Sequence, residues 1–350
     1  MTPGRLPRRP RPLRPGDTVA LCAPSSGVEP ALWPRLELAI AHLHAWGLQV
    51  HEGSTLRRER QHCSAPAAER AAELQSLLLD PSIAAVLPPW GGERAIELLP
   101  LLDFQRLAAS EPKWFSGFSD LSTLQLPLAL RAGWMSLHGP NLMELGAAEL
   151  DANTAALQRV LFETETPPQQ ASRRWQRHGP DWSSQPDAGL QLSEPTRWRR
   201  LDGSDEPLVL RGRLIGGCLD TLSRIAGTAY GELRDWRQQA DIGPPLLFLE
   251  NCELAPCELL RALSSLRLHG WLDGAAGLIL GRHAPAAVAS TEQQLSHEDA
   301  VRAALDGLNL SVLVDADIGH APPQLSLIQA EWATLHWAPD ALELRQGPSI

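Results

Sequence analysis

The stretch KWFSGFSDLSTLQL (residues 113–126) places a serine where a short apolar strand gives way to a helix. Lys113, Trp114 and Phe115 predict a strand edge, and the spacing of Leu121, Leu124, Leu128 and Leu130 after Ser119-Asp120 predicts a helix start. A hydroxyl on such a corner is exposed, and the unpaired N–H groups of the helix start can meet a developing oxyanion. That is a suitable position for a nucleophile. Ser and Asp ahead of an apolar run also cap helices, and taken alone the stretch fits the cap better.

A serine nucleophile needs a base within hydrogen-bond reach and a third group to orient that base. Two residues at strand ends qualify: Glu250, which closes LLFLE, and His320, in the turn after VLVDADIG. Singly, a strand-end carboxylate is commonly a loop cap and a turn histidine is commonly solvated; their joint placement with Ser119 weighs more. His138, in LHGPN, competes with His320 or is structural, and Glu253 competes with Glu250. The N–H of Asp120 and a donor from Gly91-Gly92 would form an oxyanion hole, because glycine lets the backbone approach a carbonyl closely. Two glycines after prolines also make an ordinary turn. Metal chemistry does not fit the spacing: there is no HExxH or CxxC, and Cys252 and Cys257 lack a third ligand.

These residues need elements that bring strand ends together. The 350 residues, 43% of them hydrophobic, suffice for a sizeable core and for two domains. A formal net charge of −10 argues against a nucleic-acid surface and for small molecules or peptides as ligands. No stretch approaches the roughly 20 apolar residues of a membrane span. Five scattered cysteines fit reduced thiols and a cytoplasmic location. Residues 1–15, basic and proline-rich without an apolar segment, read as a disordered tail rather than a secretory signal.

Residues 16–162 read as an N-terminal α/β domain. TVAL is a strand, 31–46 a helix ending at Gly47, LQVHEG a strand, 67–79 a helix, 83–87 a strand and 95–102 a helix. This alternation predicts a parallel sheet with helices on both faces. Residues 163–207 are polar and read as linker and loop, punctuated by Trp175, Trp182 and Trp198, which either stack on a ligand or pin the loop. Residues 208–350 predict a second α/β domain with a β-rich end, LSLIQAEWATLHW and ALELRQ.

Assembled in order, seven motifs resemble the LD-carboxypeptidase family of serine peptidases, which includes murein tetrapeptide carboxypeptidases and microcin C immunity peptidases. They are GDTVALCAPSS, GGERAIELLPLLDF, GFSDLSTLQL, HGPN, LIGGCLDTL, LFLEN and DIGHAPPQLSL, and the likeness spans nearly all of residues 16–335. The resemblance implies Ser119 as nucleophile, His320 as general base and acid, Glu250 as orienting carboxylate, and backbone donors from Asp120 and from Gly91 or Gly92. It also implies a homodimer, no metal or organic cofactor, and a small peptide or peptidyl-nucleotide substrate.

PPWGGERAIELLP, LENCE and DADIGH resemble the immunity branch more than the murein branch. In that branch a loop tryptophan stacks on a nucleobase, which gives Trp175, Trp182 and Trp198 a candidate role. Arg94, after the glycine loop, could hold a substrate's terminal carboxylate or be a solvated helix-start arginine. Departures from the family pattern are Asn251 where an Asp is usual, Leu327-Ile328-Gln329-Ala330 where an LPxG-like end is usual, and Pro127 behind the nucleophile. An esterase shares the order Ser, Glu, His, but the second glycine of GxSxG and an HGGG loop are missing. A peptide-binding protein without turnover is the reading from another class.

Overall fold

A computed structural model describes residues 6–239, 241–284, 291 and 293–347. Short apolar runs closed by turns make the first sheet: β1 (Thr18–Leu21), β2 (Gln49–Glu52), β3 (Ile83–Val86), β4 (Trp114–Gly117) and β5 (Leu137–His138). They lie in the order β5-β4-β3-β1-β2, and all neighbours are parallel. The crossovers that parallel pairing requires carry helices such as Trp33–Ala45 and Ala67–Leu79. Trp33–Ala45 buries Leu36, Ala39, Ile40 and Leu43, the one-face spacing of an amphipathic helix. The chain leaves it through Gly47 at φ +82°, as expected for a glycine C-cap.

The second sheet uses β6 (Gln169–Gln170), β9 (Arg199–Arg200), β10 (Leu208–Cys218), β11 (Pro245–Glu250), β12 (Gly277–Gly281), β13 (Val312–Ala316), β15 (Trp332–Ala338) and β16 (Ala341–Gln346). Between them in sequence, β7 (Arg174–Trp175) and β8 (Glu194–Pro195) pair as a ribbon, and β14 (Leu327–Ile328) joins the first sheet at β5. The order is β6-β16-β15-β10-β11-β12-β13-β9, parallel from β10 to β13 and antiparallel at both flanks. All six residues of β11 are buried, which is why PLLFLE reads as a continuous rather than an alternating apolar run. The carboxyl end of this central strand carries Glu250.

Three expectations change. The proline-rich start is packed from residue 6 onward: Arg8 N–H donates to Gly133 O, Arg8 bridges Trp134, Leu13 is buried, and Trp114 Nε1 donates to Arg11 O. Prolines forbid a helix there but leave an extended strap whose carbonyls accept bonds; residues 1–5 lie outside the described residues. Residues 163–207 supply β6 and β9 to the edges of the second sheet, pairings made by backbone groups that a polar sequence does not announce. The helix behind Ser119 runs Ser122–Pro127 and widens directly after the proline into a π-turn, Leu128–Ala132, closed by Gly133 at φ +64°. Among the described residues no helix is long and apolar enough to cross a membrane.

Candidate active site

β4 delivers the serine. Gly117 turns at φ +141°, Phe118 is extended, and Ser119 sits at φ +68°, a left-handed conformation unfavourable for any residue with a side chain. A 3-10 turn, Ser119–Leu121, begins at once, so the hydroxyl stands on a sharp corner with a helix start behind it. Gly117 is needed here: a Cβ would lie 2.5 Å from Asn141 Oδ1, the atom that accepts the Phe118 N–H at 3.0 Å. Asp120 ties the corner to neighbouring loops, accepting from Ser25 Oγ at 2.6 Å and Ala95 N–H at 2.8 Å. Burial raises its carboxyl above the usual range against these bonds.

The glycine loop after β3 faces the same corner. A Cβ on Gly91 would lie 2.7 Å from Asp120 N, 2.8 Å from Ser119 Cβ and 3.0 Å from Ser119 Oγ. The space beside the hydroxyl is open only because residue 91 has no side chain. Gly92, at φ +139°, instead turns toward Ser25 and Ser26, whose hydroxyls would crowd a Cβ at 2.6 and 2.3 Å.

The second sheet brings the other two groups. His320 Nε2 lies 2.9 Å from Ser119 Oγ, and His320 Nδ1 lies 2.9 Å from Glu250 Oε2. Gly319, at φ +90°, permits this, since a Cβ there would sit 2.4 Å from Glu250 Oε2. Burial opposes charge on both partners, yet their mutual attraction prevails. The carboxyl is held below its ordinary value and the imidazole above it.

His138 stands outside this hydrogen-bonded chain. It is fully buried between Phe118 and Phe248, its ring nitrogens have no hydrogen-bond partner, and burial pushes it down to about 4. It is a neutral packing residue under the site. Glu253 is exposed, and its N–H bonds Asp220. The Cys218, Glu250 and His320 ligand atoms lie within 4.8 Å of one another, a spacing that could hold a metal ion. However, the carboxylate and imidazole are bonded to each other, and burial pushes the Cys218 thiol well up, so the protonated sulfur is a poor ligand.

A cleft of about 460 Å³ opens over Ser119, with Trp90, Phe118, Met143 and Trp182 among its apolar walls. Its carboxylates are Glu29, Glu59 and Glu144, the last pushed up to about 7 by burial, and among the described residues no lysine or arginine lines it. The other sequence candidates disperse. Arg94 donates to Glu97 and to Gln61 O and does not line the cleft. Trp198 is buried in the second core with its Nε1 on Asp317, and Trp175 lines a different cleft.

Only Trp182 of the three tryptophans reaches the Ser119 cleft. A residue that sequence reasoning missed helps hold it there. Arg35, 2% exposed, lies 3.7 Å under the Trp182 ring and donates to Met143 O, Pro186 O and Ala188 O at 2.7 to 2.9 Å. The only local signal is an arginine placed beside Leu36 on the buried face of its helix.

A hydroxyl, an imidazole and a carboxylate in line, beside an open pocket and a free helix start, can deprotonate the hydroxyl and hold an oxyanion. Comparison with known proteins points the same way. Residues 19–139 match the LD-carboxypeptidase N-terminal domain and residues 211–335 the LD-carboxypeptidase C-terminal domain. A provisionally named murein peptide carboxypeptidase of Bacillus subtilis is 26% identical over 344 residues, covering 97% of this chain and 95% of that one. A provisionally named carboxypeptidase of Streptomyces coelicolor is 30% identical over 325 residues, covering 91% and 90%. The solved structure of microcin C7 self immunity protein MccF in complex with aspartyl sulfamoyl adenosine shares the fold, with a TM-score of 0.78 at 23% identity, covering 97% and 98%. With one family domain supplying Ser119, the other supplying Glu250 and His320, and a 30% identical relative matched along nine-tenths of its length, the chain belongs to the LD-carboxypeptidase family of serine carboxypeptidases.

Proposed function

We propose that Ser119 is the nucleophile of a serine carboxypeptidase that cuts an amide bond near a peptide C-terminus. The observation that carries this reading is the pair of 2.9 Å contacts linking Ser119, His320 and Glu250. His320 Nε2 takes the hydroxyl proton as Oγ attacks the carbonyl, and Glu250 holds the Nδ1–H tautomer and balances the imidazolium. The Asp120 N–H, with a donor from the Gly91-Gly92 loop, meets the oxyanion. His320 then returns its proton to the leaving amine, and water resolves the acyl-enzyme along the reverse path. No step calls on a metal or organic cofactor.

Murein peptides are the first substrate class, in keeping with the Bacillus subtilis relative. A second reading, hydrolysis of aminoacyl or peptidyl nucleotide conjugates, is favoured by Trp182 on the cleft wall, a flat face on which a base can stack. The family resemblance adds a homodimer, and five unpaired cysteines favour a reducing, cytoplasmic setting. Light scattering at the monomer mass would remove the dimer.

The test is product mass spectrometry after incubating the protein, and its Ser119→Ala form, with murein tetrapeptide and with aspartyl sulfamoyl adenosine. Ser119→Ala should lose roughly 10⁴-fold or more in kcat/KM on whichever is cleaved. Turnover that survives the substitution refutes the mechanism. Binding of either compound without turnover by the wild type would establish the noncatalytic reading instead.

A further inference from the structure

A second cleft of about 480 Å³ is lined in part by Arg282, which bonds the carbonyls of Ala321 and Pro323 just after His320, and its lining is basic where that of the Ser119 cleft is acidic. Arg177, Arg197, Arg199 and Arg282 line it, with Trp175 on one wall. Two of these guanidiniums are neutralised: Arg199 pairs with Asp315 at 2.7 Å and Glu298 at 3.1 Å, and buried Arg282 pairs with buried Asp317. The other two are not. Arg197 makes no hydrogen bond or ion pair among the described residues, and the one partner of Arg177 is the Trp175 ring, 5.0 Å away. Glu298 is shared with Arg302, so five guanidiniums against three carboxylates leave two positive charges in surplus around this concavity, in a chain whose formal net charge is −10.

The cleft is built rather than incidental. Arg282 sits 5.4 Å from the Trp175 ring and donates to Ala321 O and Pro323 O at 2.8 to 3.1 Å, so its wall is fixed. Asp317 also accepts from Ser172 and from Trp198 Nε1, which anchors the segment bearing Arg177 and Arg197. His283 and His297 stack at 4.9 Å and 26° on another wall. A fixed concave site with low-dielectric walls focuses the field of its unpaired charges, and guanidinium forks match phosphate and carboxylate oxygens.

We propose that this cleft binds a small anion carrying phosphate or carboxylate groups, gripped by Arg177 and Arg197, at a site separate from the Ser119 cleft. Calorimetric titration of the full chain with inorganic pyrophosphate, citrate and adenosine 5′-monophosphate tests it. At least one probe should bind the wild type at a single site and bind equally well to Ser119→Ala. The double variant Arg177→Ala/Arg197→Ala should bind at least about tenfold more weakly and retain wild-type peptidase turnover. Pyrophosphate alone, citrate alone, or the nucleotide alone would each support the site and identify the chemistry it takes. No binding of any probe to the wild type, or equal binding by the double variant at an unchanged unfolding temperature, overturns the proposal.

Discussion

The two sides of the Ser119 site are held by different forces. On the β4 side sterics decide: a left-handed serine, a glycine at 91 that leaves the adjacent space open, and an asparagine against Gly117. On the second-sheet side electrostatics decide: a buried carboxylate and an imidazole stabilise each other's charge at 2.9 Å. The first side is local, one elbow and the loops that brace it. The second joins strand ends 70 residues apart. The steric side should therefore be sensitive to atoms added and indifferent to pH. The electrostatic side should fail on loss of charge even at constant shape and should respond strongly to pH.

The largest expected effect is on the electrostatic side. Glu250→Gln keeps the shape of the side chain but removes the charge, and kcat/KM should fall roughly 10³- to 10⁴-fold, as for other triads that lose their carboxylate. The pH profile carries the sharper information. His320 must be neutral to act as base, and Glu250 holds its pKa well above the ordinary 6.5. Wild-type kcat/KM should therefore climb as pH rises through that elevated value. Without the anion, burial lowers the imidazole against Cys252 alone, so the acid limb of the variant should move to lower pH. A limb that stays in place would show that Glu250 does not set the charge of His320.

On the steric side, Gly91→Ala inserts a methyl 2.7 Å from Asp120 N and 3.0 Å from Ser119 Oγ. It should lower kcat by roughly 10²- to 10³-fold, comparable to losing one oxyanion donor. Because no charge changes, the limbs of the pH profile should not move. Single-turnover kinetics across pH separates the two sides: a profile shifted by Gly91→Ala would mean that sterics and electrostatics are coupled through Ser119.

Sequence legibility followed the same divide. The corner at Ser119, the glycine loop and the strand ends at Glu250 and His320 were readable because each needs particular residue types at one place in the chain. The choice of His320 over His138 was not decided by type; it rests on burial, which leaves His138, the last residue of β5, neutral between two phenylalanines. The three tryptophans of 163–207 were indistinguishable in sequence. Their fates depend on remote partners: Arg35 under Trp182, Asp317 on Trp198 and a pair of arginines around Trp175. The strap at residues 6–15 is not legible in composition because its stability comes from backbone bonds to Gly133 and Leu161.

The smallest effect should come from the arginine that sequence placed near the substrate. The Arg94 fork is occupied by Glu97 at 2.7 and 3.1 Å and by Gln61 O at 3.2 Å, and Arg94 does not line the cleft. Exposed pairs of this kind contribute little, so Arg94→Ala should change KM by less than about twofold. Among the described residues the cleft lining is acidic, with Glu29, Glu59 and Glu144 and no arginine or lysine, so Arg94 is not a lining cation in the free protein. A tenfold rise in KM at constant kcat would mean instead that Arg94 leaves Glu97 and contributes uniform binding. In that case the acidic cleft would acquire its cation only when substrate is present, and its charge in the free protein would be a poor guide to what it selects.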